Sequence, residues 1–381
     1  MNVFDTIVNR IKFEQVSYPR ICMNKFSLIV LVFLISTKGF SQFHFYHPEI
    51  DYGSESIFNP VTLFTNGACD ILRNGSYSKD IFKQPYQNGI KNVWMNISNP
   101  ISNIKKYGLQ NFLHREIFNI TTNSNESQFL PNIGLHILGN GMQYQKLAEW
   151  YTYHQYSNPK LRSLLITTTY QFCNEIYENG EFIGCNVDPI SDMLIFNPLG
   201  ILLFNSEFGK KFFTQTVPIF DWSLQPYYNP HNRHIENAGQ QYATKVRFGK
   251  SEYSAFLYWG LTTTCGISRS LNDSTSISCS LGAVVQKLQE IHYRDARYMA
   301  PNLGYVFAIF YDRYNSLLGS FTLTGPKYIT YKIEIFPGFL GIADFKPGMF
   351  ICIGESEFFQ FGITFPSVPV GIIGKSVAKN G

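Results

Sequence analysis

Residues 357–365 read E-F-F-Q-F-G-I-T-F and alternate with a period of two. Successive side chains of a strand point to opposite faces of a sheet, so one face would carry Phe359, Phe361, Ile363 and Phe365. The other face would carry Phe358, Gln360, Gly362 and Thr364. A closed sheet that is apolar outside and mixed inside is one of two backbone arrangements that can span a lipid bilayer. This stretch therefore predicts a strand of a transmembrane barrel.

The same alternation recurs over the last third of the chain and gives about eight candidate strands, most of them close to the roughly 9 to 11 residues of a tilted membrane-spanning strand. The candidates are residues 242–248, 254–261, 276–285, 303–311, 317–324, 328–335, 349–353 and 357–365. Residues typical of turns separate them. We therefore predict a mainly β fold whose C-terminal antiparallel β-barrel has about eight strands over residues 236–366, with a tail at 367–381.

A soluble β-sandwich is the alternative for these strands, because its strands also alternate. The charged residues on the polar face fit either a barrel lumen or a solvated sandwich face: Lys245, Arg247, Lys332 and Glu334. The apolar face has few charges and the last strand ends in Phe365, which favours the barrel.

The composition agrees with a chain that buries much of its surface in a core or in lipid. Apolar residues make up 45% of the 381 residues, aromatic residues 16% and charged residues only 15%. An aromatic-rich, charge-poor chain without a long apolar run favours a barrel over a helical membrane protein. The net charge of +4 is spread along the chain, so the sequence shows no basic patch of the kind that binds nucleic acid.

The N-terminal region has the pattern of a secretory signal peptide. Residues 23–42 contain Lys25, an apolar core over residues 26–35, and small residues near Gly39 and Ser41. The apolar core has about ten residues, short of the roughly 20 that a membrane-spanning helix needs. We expect Met23 to be the true start, residues 1–41 to be an over-extended start plus signal peptide, and the mature chain to be exported.

Export would remove Cys22 and leave six of the 7 cysteines in an oxidising compartment. If one pair forms a disulfide, Cys173 and Cys185 are the expected pair, since both would flank one short connection between helices. Two buried free thiols are an equal alternative.

The middle of the chain divides into an irregular part and a helical part. Residues 42–130 are rich in Asn, Ser, Gly and Pro, and we predict an irregular periplasmic region. Residues 131–210 change to a period of 3.6 and predict a three-helix segment. Its second helix would start after Asn158-Pro159 and stop at Asn179-Gly180. The third would begin at Asp188-Pro189 and be interrupted at Asn197-Pro198.

Four short motifs lie in this helical segment: H-I-L-G at 136–139, E-I-Y-E at 175–178, D-P-I-S-D at 188–192 and N-P-L-G at 197–200. Over roughly residues 130–210 the chain resembles a family of uncharacterised Gram-negative exported proteins. In that family, a helical segment with His, Glu and Asp motifs precedes a C-terminal outer-membrane β-barrel. The resemblance implies this architecture and a location in the cell envelope.

His136 could form a general acid/base pair with Glu175, Glu178 or Asp192, because imidazole needs a carboxylate to fix its tautomer and raise its basicity. Ser191 could then act as a nucleophile for acyl transfer. The alternative is a buried network that only joins helices, since polar groups inside a protein must find partners. His136, Glu175 and Asp192 are the candidate catalytic residues, and no cofactor-binding or metal-ligating residue is predicted.

The sequence is compatible with two functions. The first is an outer-membrane β-barrel protein with a structural or binding role in the bacterial cell envelope and with outer-membrane lipids as partners. The second is an outer-membrane enzyme that acts on lipid or lipopolysaccharide through the His/carboxylate site. The commonest hydrolase, zinc-protease and phosphate-loop motifs are absent from the sequence.

Overall fold

The chain places its helices before its strands. The computed structural model describes residues 43–73, 78–118, 120, 132–180, 184–293, 296–325, 330–341, 345–355, 358–366 and 368–374. For residues 73, 287–293 and 296–301 it describes the backbone alone. The expected signal peptide lies outside the described residues. The described residues fall within one compact unit, Ser41–Gly381.

The helices occupy residues 53–216. They are α1 (Gly53–Ser56), α2 (Pro60–Cys69), α3 (Tyr86–Ser98), α4 (Pro100–Tyr107), α5 (Leu109–Phe112), α6 (Asn140–Tyr153), α7 (Pro159–Glu178), α8 (Asp188–Ser191), α9 (Asn197–Asn205) and α10 (Glu207–Lys211). A 3₁₀ turn spans Asp70–Arg73, and π-helical turns span Leu113–Phe118, Asn132–Gly139, Asp192–Phe196 and Phe212–Thr216. None of the described helices has the length and apolar character needed to cross a membrane.

The region that we expected to be irregular contains α1 to α5. Its many asparagines are typical of loops, but several of them cap helices or are buried within them. Asn59 caps α2 by accepting hydrogen bonds from the backbone N–H groups of Val61 and Thr62. Asn92 and Asn96 on α3 are fully buried, and both donate to the backbone carbonyl of Gly184. Ile90, Val93, Trp94 and Ile97 of α3 do repeat at helical spacing, so the prediction of an irregular region here was wrong because the asparagines were taken as loop residues.

The three helices expected from periodicity are present. The second prediction matches α7, which starts at Pro159 and ends at Glu178. The third is split as its Pro198 suggested, into α8, a π-helical turn and α9. Helices α2, α6 and α7 share one apolar core that includes Leu72, Leu147 and Tyr170.

The strands form one large sheet. They are β1 (Ile219–Asp221), β2 (Tyr227–Asn229), β3 (His234–Glu236), β4 (Gln241–Arg247), β5 (Tyr253–Gly260), β6 (Thr262–Ser270), β7 (Thr275–Tyr293), β8 (Ala296–Arg313), β9 (Ser316–Gly325), β10 (Thr330–Ile335), β11 (Gly348–Ile353), β12 (Phe359–Thr364) and β13 (Gly371–Ile373). The thirteen strands run in the order β1-β4-β5-β6-β7-β8-β9-β10-β11-β12-β13-β2-β3. All pairs are antiparallel except β13 with β2.

All eight candidate stretches coincide with strands, but the sheet contains thirteen strands rather than about eight. The additional strands are β6 and the three-residue strands β1, β2, β3 and β13. β13 lies in the segment that we expected to be a tail. Strands of three residues are too short to show alternation, which is why the sequence did not reveal them.

Side chains of the sheet divide cleanly between two faces. The first outward row crosses β5 to β12 through paired residues: Leu257, Cys265, Leu281, Phe307, Leu323, Tyr331, Ile353 and Phe359. The second outward row is Ala255, Ile267, Cys279, Ile309, Phe321, Ile333, Ile351 and Phe361. None of these sixteen side chains is buried and none is charged. These two rows of the outward face are therefore apolar and accessible, whereas the charged Arg269 lies in the next row of β6.

The inward face is packed and partly polar. An inward row lies between the two outward rows and reads Phe256, Gly266, Ser280, Ala308, Thr322, Lys332, Cys352 and Gln360. The aromatic rings of Trp222, Phe256 and Phe310 pack against one another on the inward face. Lys245 contacts Asp312 at 2.6 Å, so a buried charge on this face has its counter-charge.

The segment of chain that contains β1 and β2 pairs with strands near both ends of the sheet. Its first part, β1, pairs with β4, and the ladder continues where Leu224 N–H donates to the carbonyl of Gly239. Its second part, β2, pairs with β13, where Gly371 N–H donates to the carbonyl of Pro226. We call residues 219–229 the bridging segment. A single stretch of chain thus meets two strands that lie far apart in the sheet order.

The helices are joined to the sheet by buried polar contacts. Lys146 on α6 is fully buried, and its Nζ lies 2.7 Å from Glu55 Oε1 on α1 and 3.2 Å from Asp221 Oδ2 on β1. Asn66 on α2 donates to the carbonyl of Leu224 and accepts from the N–H of Gly239. These contacts fix the helices against β1 and the start of β4.

No disulfide joins any of the described cysteines. Cys173 packs with the α2–α6–α7 core, whereas Cys185 donates to the carbonyl of Asn103 in another cluster. The expected Cys173–Cys185 disulfide is therefore not formed.

Candidate functional site

His136 and Asp192 are brought together by two π-helical turns. His136 lies in the turn Asn132–Gly139, and Asp192 begins the turn Asp192–Phe196. The imidazole Nε2 is 3.1 Å from Asp192 Oδ2, and Nδ1 is 3.1 Å from Asn197 Oδ1. π-helical turns are rare and frequent at functional sites, so their occurrence on both sides of this contact is notable.

A glycine allows this close approach. A Cβ atom on Gly200 in α9 would lie 2.5 Å from the carbonyl oxygen of Ile137 and 2.7 Å from that of His136. Only a residue without a side chain lets α9 rest on the backbone that carries His136.

Gly200→Ala is expected to destabilise the protein by about 1 to 3 kcal/mol, because the added methyl group meets backbone atoms that cannot rotate away. The midpoint of urea unfolding, followed by circular dichroism, measures the change. Gly134→Ala is the matched control, since a Cβ there meets nothing within 4 Å. Equal midpoints for the two variants would contradict the close-approach argument.

Both ring nitrogens of His136 face oxygen acceptors. Burial disfavours the charged imidazole, but the negative charge of Asp192 and the hydrogen bonds of Asp192 and Asn197 outweigh it and raise the pKa of His136. The doubly hydrogen-bonded ring is best satisfied as an imidazolium that donates from both nitrogens. In this arrangement His136 joins two helical turns and has no nitrogen directed to a substrate.

Glu175 and Asp192 come together with a third carboxylate, Asp188. One carboxylate oxygen from each of the three lies within 4.8 Å of the others. Glu175 and Asp192 are 2% and 4% exposed, and Asp188 is half-buried. Asp188 and Asp192 are four residues apart on consecutive helical turns, so they share one face.

Burial is the main cause of the altered acidity of this cluster. It raises the pKa of Glu175 well above its usual value, and the charges of Asp192 and Glu178 raise it further. Burial also raises the pKa of Asp188 well above its usual value, again with a contribution from Asp192. A group of carboxylates held this close repels its own negative charge.

The remaining neighbours are amides and one further acid. Asn179 donates to Glu175 Oε2 at 3.2 Å and accepts from Asn186 at 2.5 Å. Glu116, from the π-helical turn Leu113–Phe118, is 2% exposed. Burial and then the charge of Asp192 raise the pKa of Glu116 to about 8.

Ser191 is poorly placed for the nucleophilic role that the sequence suggested. Its hydroxyl donates to the carbonyl of Asp188 at 2.8 Å, and its Oγ lies 3.1 Å from Asp192 Oδ1. The side chain is fully buried, so no substrate carbonyl can reach it in this arrangement.

The structure thus brings together the three residues singled out from the sequence, His136, Glu175 and Asp192. Sequence reasoning did not include Asp188 and Glu116 in the site. The four-residue spacing of Asp188 and Asp192 was a usable signal, whereas nothing in the local sequence of Glu116 marks it.

No protein family model matches this chain, and no curated protein or solved structure matches it.

Proposed function

We propose that the chain is an outer-membrane β-barrel protein of the bacterial cell envelope, with a structural or binding role and with outer-membrane lipids around its sheet. The observation that carries this proposal is the outward face of β5 to β12. Its two outward rows hold only aliphatic, aromatic and cysteine side chains across eight neighbouring strands.

A soluble sheet accounts poorly for this face. Antiparallel sheets with one face in water place polar residues on that face. Exposed apolar patches on soluble monomers rarely exceed a few hundred Å². Here Leu281 is 67% exposed and Tyr305 is 78% exposed, with apolar neighbours on both sides. Acyl chains of a membrane are the surroundings that such a face fits.

Closure of the sheet into a barrel belongs to the same proposal. The bridging segment supports it, because its β1 part pairs with β4 and its β2 part pairs with β13. Each end of the long antiparallel series is thus hydrogen-bonded to a different part of this one segment. A barrel closed in this way would leave no long strand edge in lipid, where unpaired N–H and C=O groups are costly.

The filled interior favours a structural or binding role over transport. Trp222, Phe256 and Phe310 pack against one another on the inward face. Trp222 and Phe310 are 0% and 1% exposed. A lumen filled by side chains leaves no path for a solute.

The enzymatic alternative has weaker support. It requires His136 to act as a general base near an accessible substrate. Both nitrogens of His136 have oxygen neighbours, and Glu175 and Asp192 are almost fully buried. We therefore favour a helical region that contributes stability or binding.

Heat modifiability tests the barrel proposal. Protein extracted from membranes in detergent is expected to migrate faster in a denaturing gel before boiling than after it, because a closed barrel resists the detergent and stays compact. The measurement is the mobility of the two samples, with membrane and soluble fractions compared in parallel. Identical mobility, or recovery with the soluble periplasmic proteins, would contradict the proposal.

A further inference from the structure

We propose that helices α3 and α4 lie on the surface of a membrane that contains anionic phospholipid. The exposed apolar side chains of these helices would enter the boundary between headgroups and acyl chains, and their lysines would meet lipid phosphate groups. The inference deepens the proposed function, on which it rests for the choice of the outer membrane. It gives the helical region a lipid-binding surface of its own, separate from the outward face of the sheet.

Helix α3 is amphipathic in the reverse of the usual sense. Its buried residues are Gly89, Asn92, Val93 and Asn96. Val93 is thus the one apolar side chain among them. On the accessible side, Ile90 is 46% exposed and Trp94 is 63% exposed. A helix on the surface of a soluble protein normally turns its apolar side to the core and its polar side to water, so the accessible side of α3 calls for an apolar partner.

The accessible apolar residues of α3 form one stripe along the helix. Residues three or four positions apart are neighbours on a helix surface. The stripe has this spacing and consists of Tyr86, Ile90, Trp94 and Ile97. Ile101 on α4 follows four residues after Ile97 and is 61% exposed. Trp and Tyr favour the membrane interface, because the ring is apolar and its polar group can stay hydrated.

The charged groups of these two helices are all basic. Lys91 on α3 and Lys105 and Lys106 on α4 are exposed. Residues 81–115 contain four lysines and Arg115 but neither Asp nor Glu. Basic residues close to a membrane are attracted by anionic headgroups, and this attraction adds to the burial of apolar side chains. Charge complementarity therefore selects an anionic lipid surface as the partner of the stripe.

Close packing holds α3 in this orientation. A Cβ atom on Gly89 would lie 2.3 Å from the carbonyl oxygen of Ile176, so α3 rests directly on the backbone of α7. Asn103 on α4 donates to the carbonyls of Met95 and Asn96 and fixes α4 against the end of α3. The stripe cannot turn inward without loss of these contacts, so it stays available to a membrane.

Quenching of Trp94 fluorescence by brominated phospholipid tests the contact. The folded full chain is reconstituted in phosphatidylcholine vesicles with and without phosphatidylglycerol, with bromine on the upper part of the acyl chains. Trp94 is one of 4 tryptophans, and the difference between the wild type and Trp94→Phe isolates its emission. We expect quenching of Trp94 that is stronger in the vesicles that contain phosphatidylglycerol.

Three variants, each checked for folding by circular dichroism, separate the apolar and basic contributions. Ile90→Ser changes an accessible side chain and is expected to weaken the quenching. Lys91→Gln is expected to lower the ratio of membrane-bound to free helix about fivefold, the effect of one lysine near anionic headgroups. The control is Arg162→Gln, an exposed cation about 21 Å along α7 from Ile176, which should leave the quenching unchanged.

Failure of this inference can be distinguished from failure of the barrel proposal in the same samples. A heat-modifiable chain with unquenched Trp94, or full quenching in both Ile90→Ser and Lys91→Gln, overturns the inference and leaves the barrel proposal standing. Quenched Trp94 in a chain that is not heat-modifiable supports the lipid contact and contradicts the barrel. Blue-shifted but unquenched Trp94 emission in a chain that sediments as a dimer shows that a second copy covers the stripe, which overturns the lipid assignment.

Discussion

Replacing Lys146 with methionine is expected to lower the free energy of unfolding by about 3 to 5 kcal/mol, the usual cost of breaking a buried ion pair from one side. Lys146 is fully buried, and its Nζ contacts Glu55 Oε1 and Asp221 Oδ2. It also lies 4.4 Å from the centre of the Phe58 ring. Methionine fills the space, but it leaves two buried carboxylates without their cation.

The measurement is the urea dependence of circular dichroism for the folded chain. Lys211→Met is the matched control, because Lys211 is exposed and its loss should change the free energy by less than about 0.5 kcal/mol. A triple variant that adds Glu55→Gln and Asp221→Asn should recover much of the loss, since no unpaired charge then remains. If Lys146→Met unfolds at the wild-type urea concentration, the ion pairs of Lys146 with Glu55 and Asp221 do not join the helices to the sheet.

Leu281→Arg is expected to reduce membrane stability by about 2 to 4 kcal/mol, the cost of an arginine that faces lipid near the middle of a strand. Leu281 is 67% exposed and belongs to the first outward row. The neighbouring Ser280 is 3% exposed, and its Oγ lies 2.8 Å from Thr264 Oγ1 on the inward face. Ser280→Arg would therefore be limited by crowding inside the sheet and not by lipid.

The yield of each variant in the outer membrane, compared with its total expression, measures this contrast. Leu281→Thr is the milder control, because it keeps a neutral side chain on the same face. Should Leu281→Arg assemble like the wild type, the outward rows do not meet lipid, and a soluble sheet becomes the better explanation of the C-terminal half.

Much of the element order could be predicted, because the chain marks many boundaries with local signals. Helix α7 begins at Pro159 and ends just before Asn179-Gly180, where start and stop residues stand on both sides of an amphipathic run. The expected facing of β7 agrees with the structure: Ser278 and Ser280 are buried while Ile277 and Leu281 are exposed. Alternation alone carries that information.

Two of the missed elements place polar residues on their buried faces. β6 has the buried positions Thr264 and Ser268, so hydroxyl groups stand where an apolar residue would mark the inward face. Helix α3 buries Asn92 and Asn96, which satisfy the backbone of a distant loop. In both cases buried polar groups form hydrogen bonds to distant parts of the chain.

Only part of the candidate site could be predicted from the sequence, for a related reason. His136 and Asp192 could be paired by their chemistry, since imidazole and carboxylate are natural partners. Glu175 joins Asp192 from helix α7, and Asp188 completes the cluster. Long-range placement, and not residue type, decides which acids form the cluster.

The bridging segment also sets an order on assembly. Residues 227 and 371 pair directly, although almost the whole sheet separates them along the chain. Bringing such distant residues together costs loop-closure entropy and slows folding. The pairing of β2 with β13 is therefore expected to form after the local pairings among β4 to β12. A variant in which residues 371–373 cannot pair would keep every long strand and lose the contact between β13 and the bridging segment.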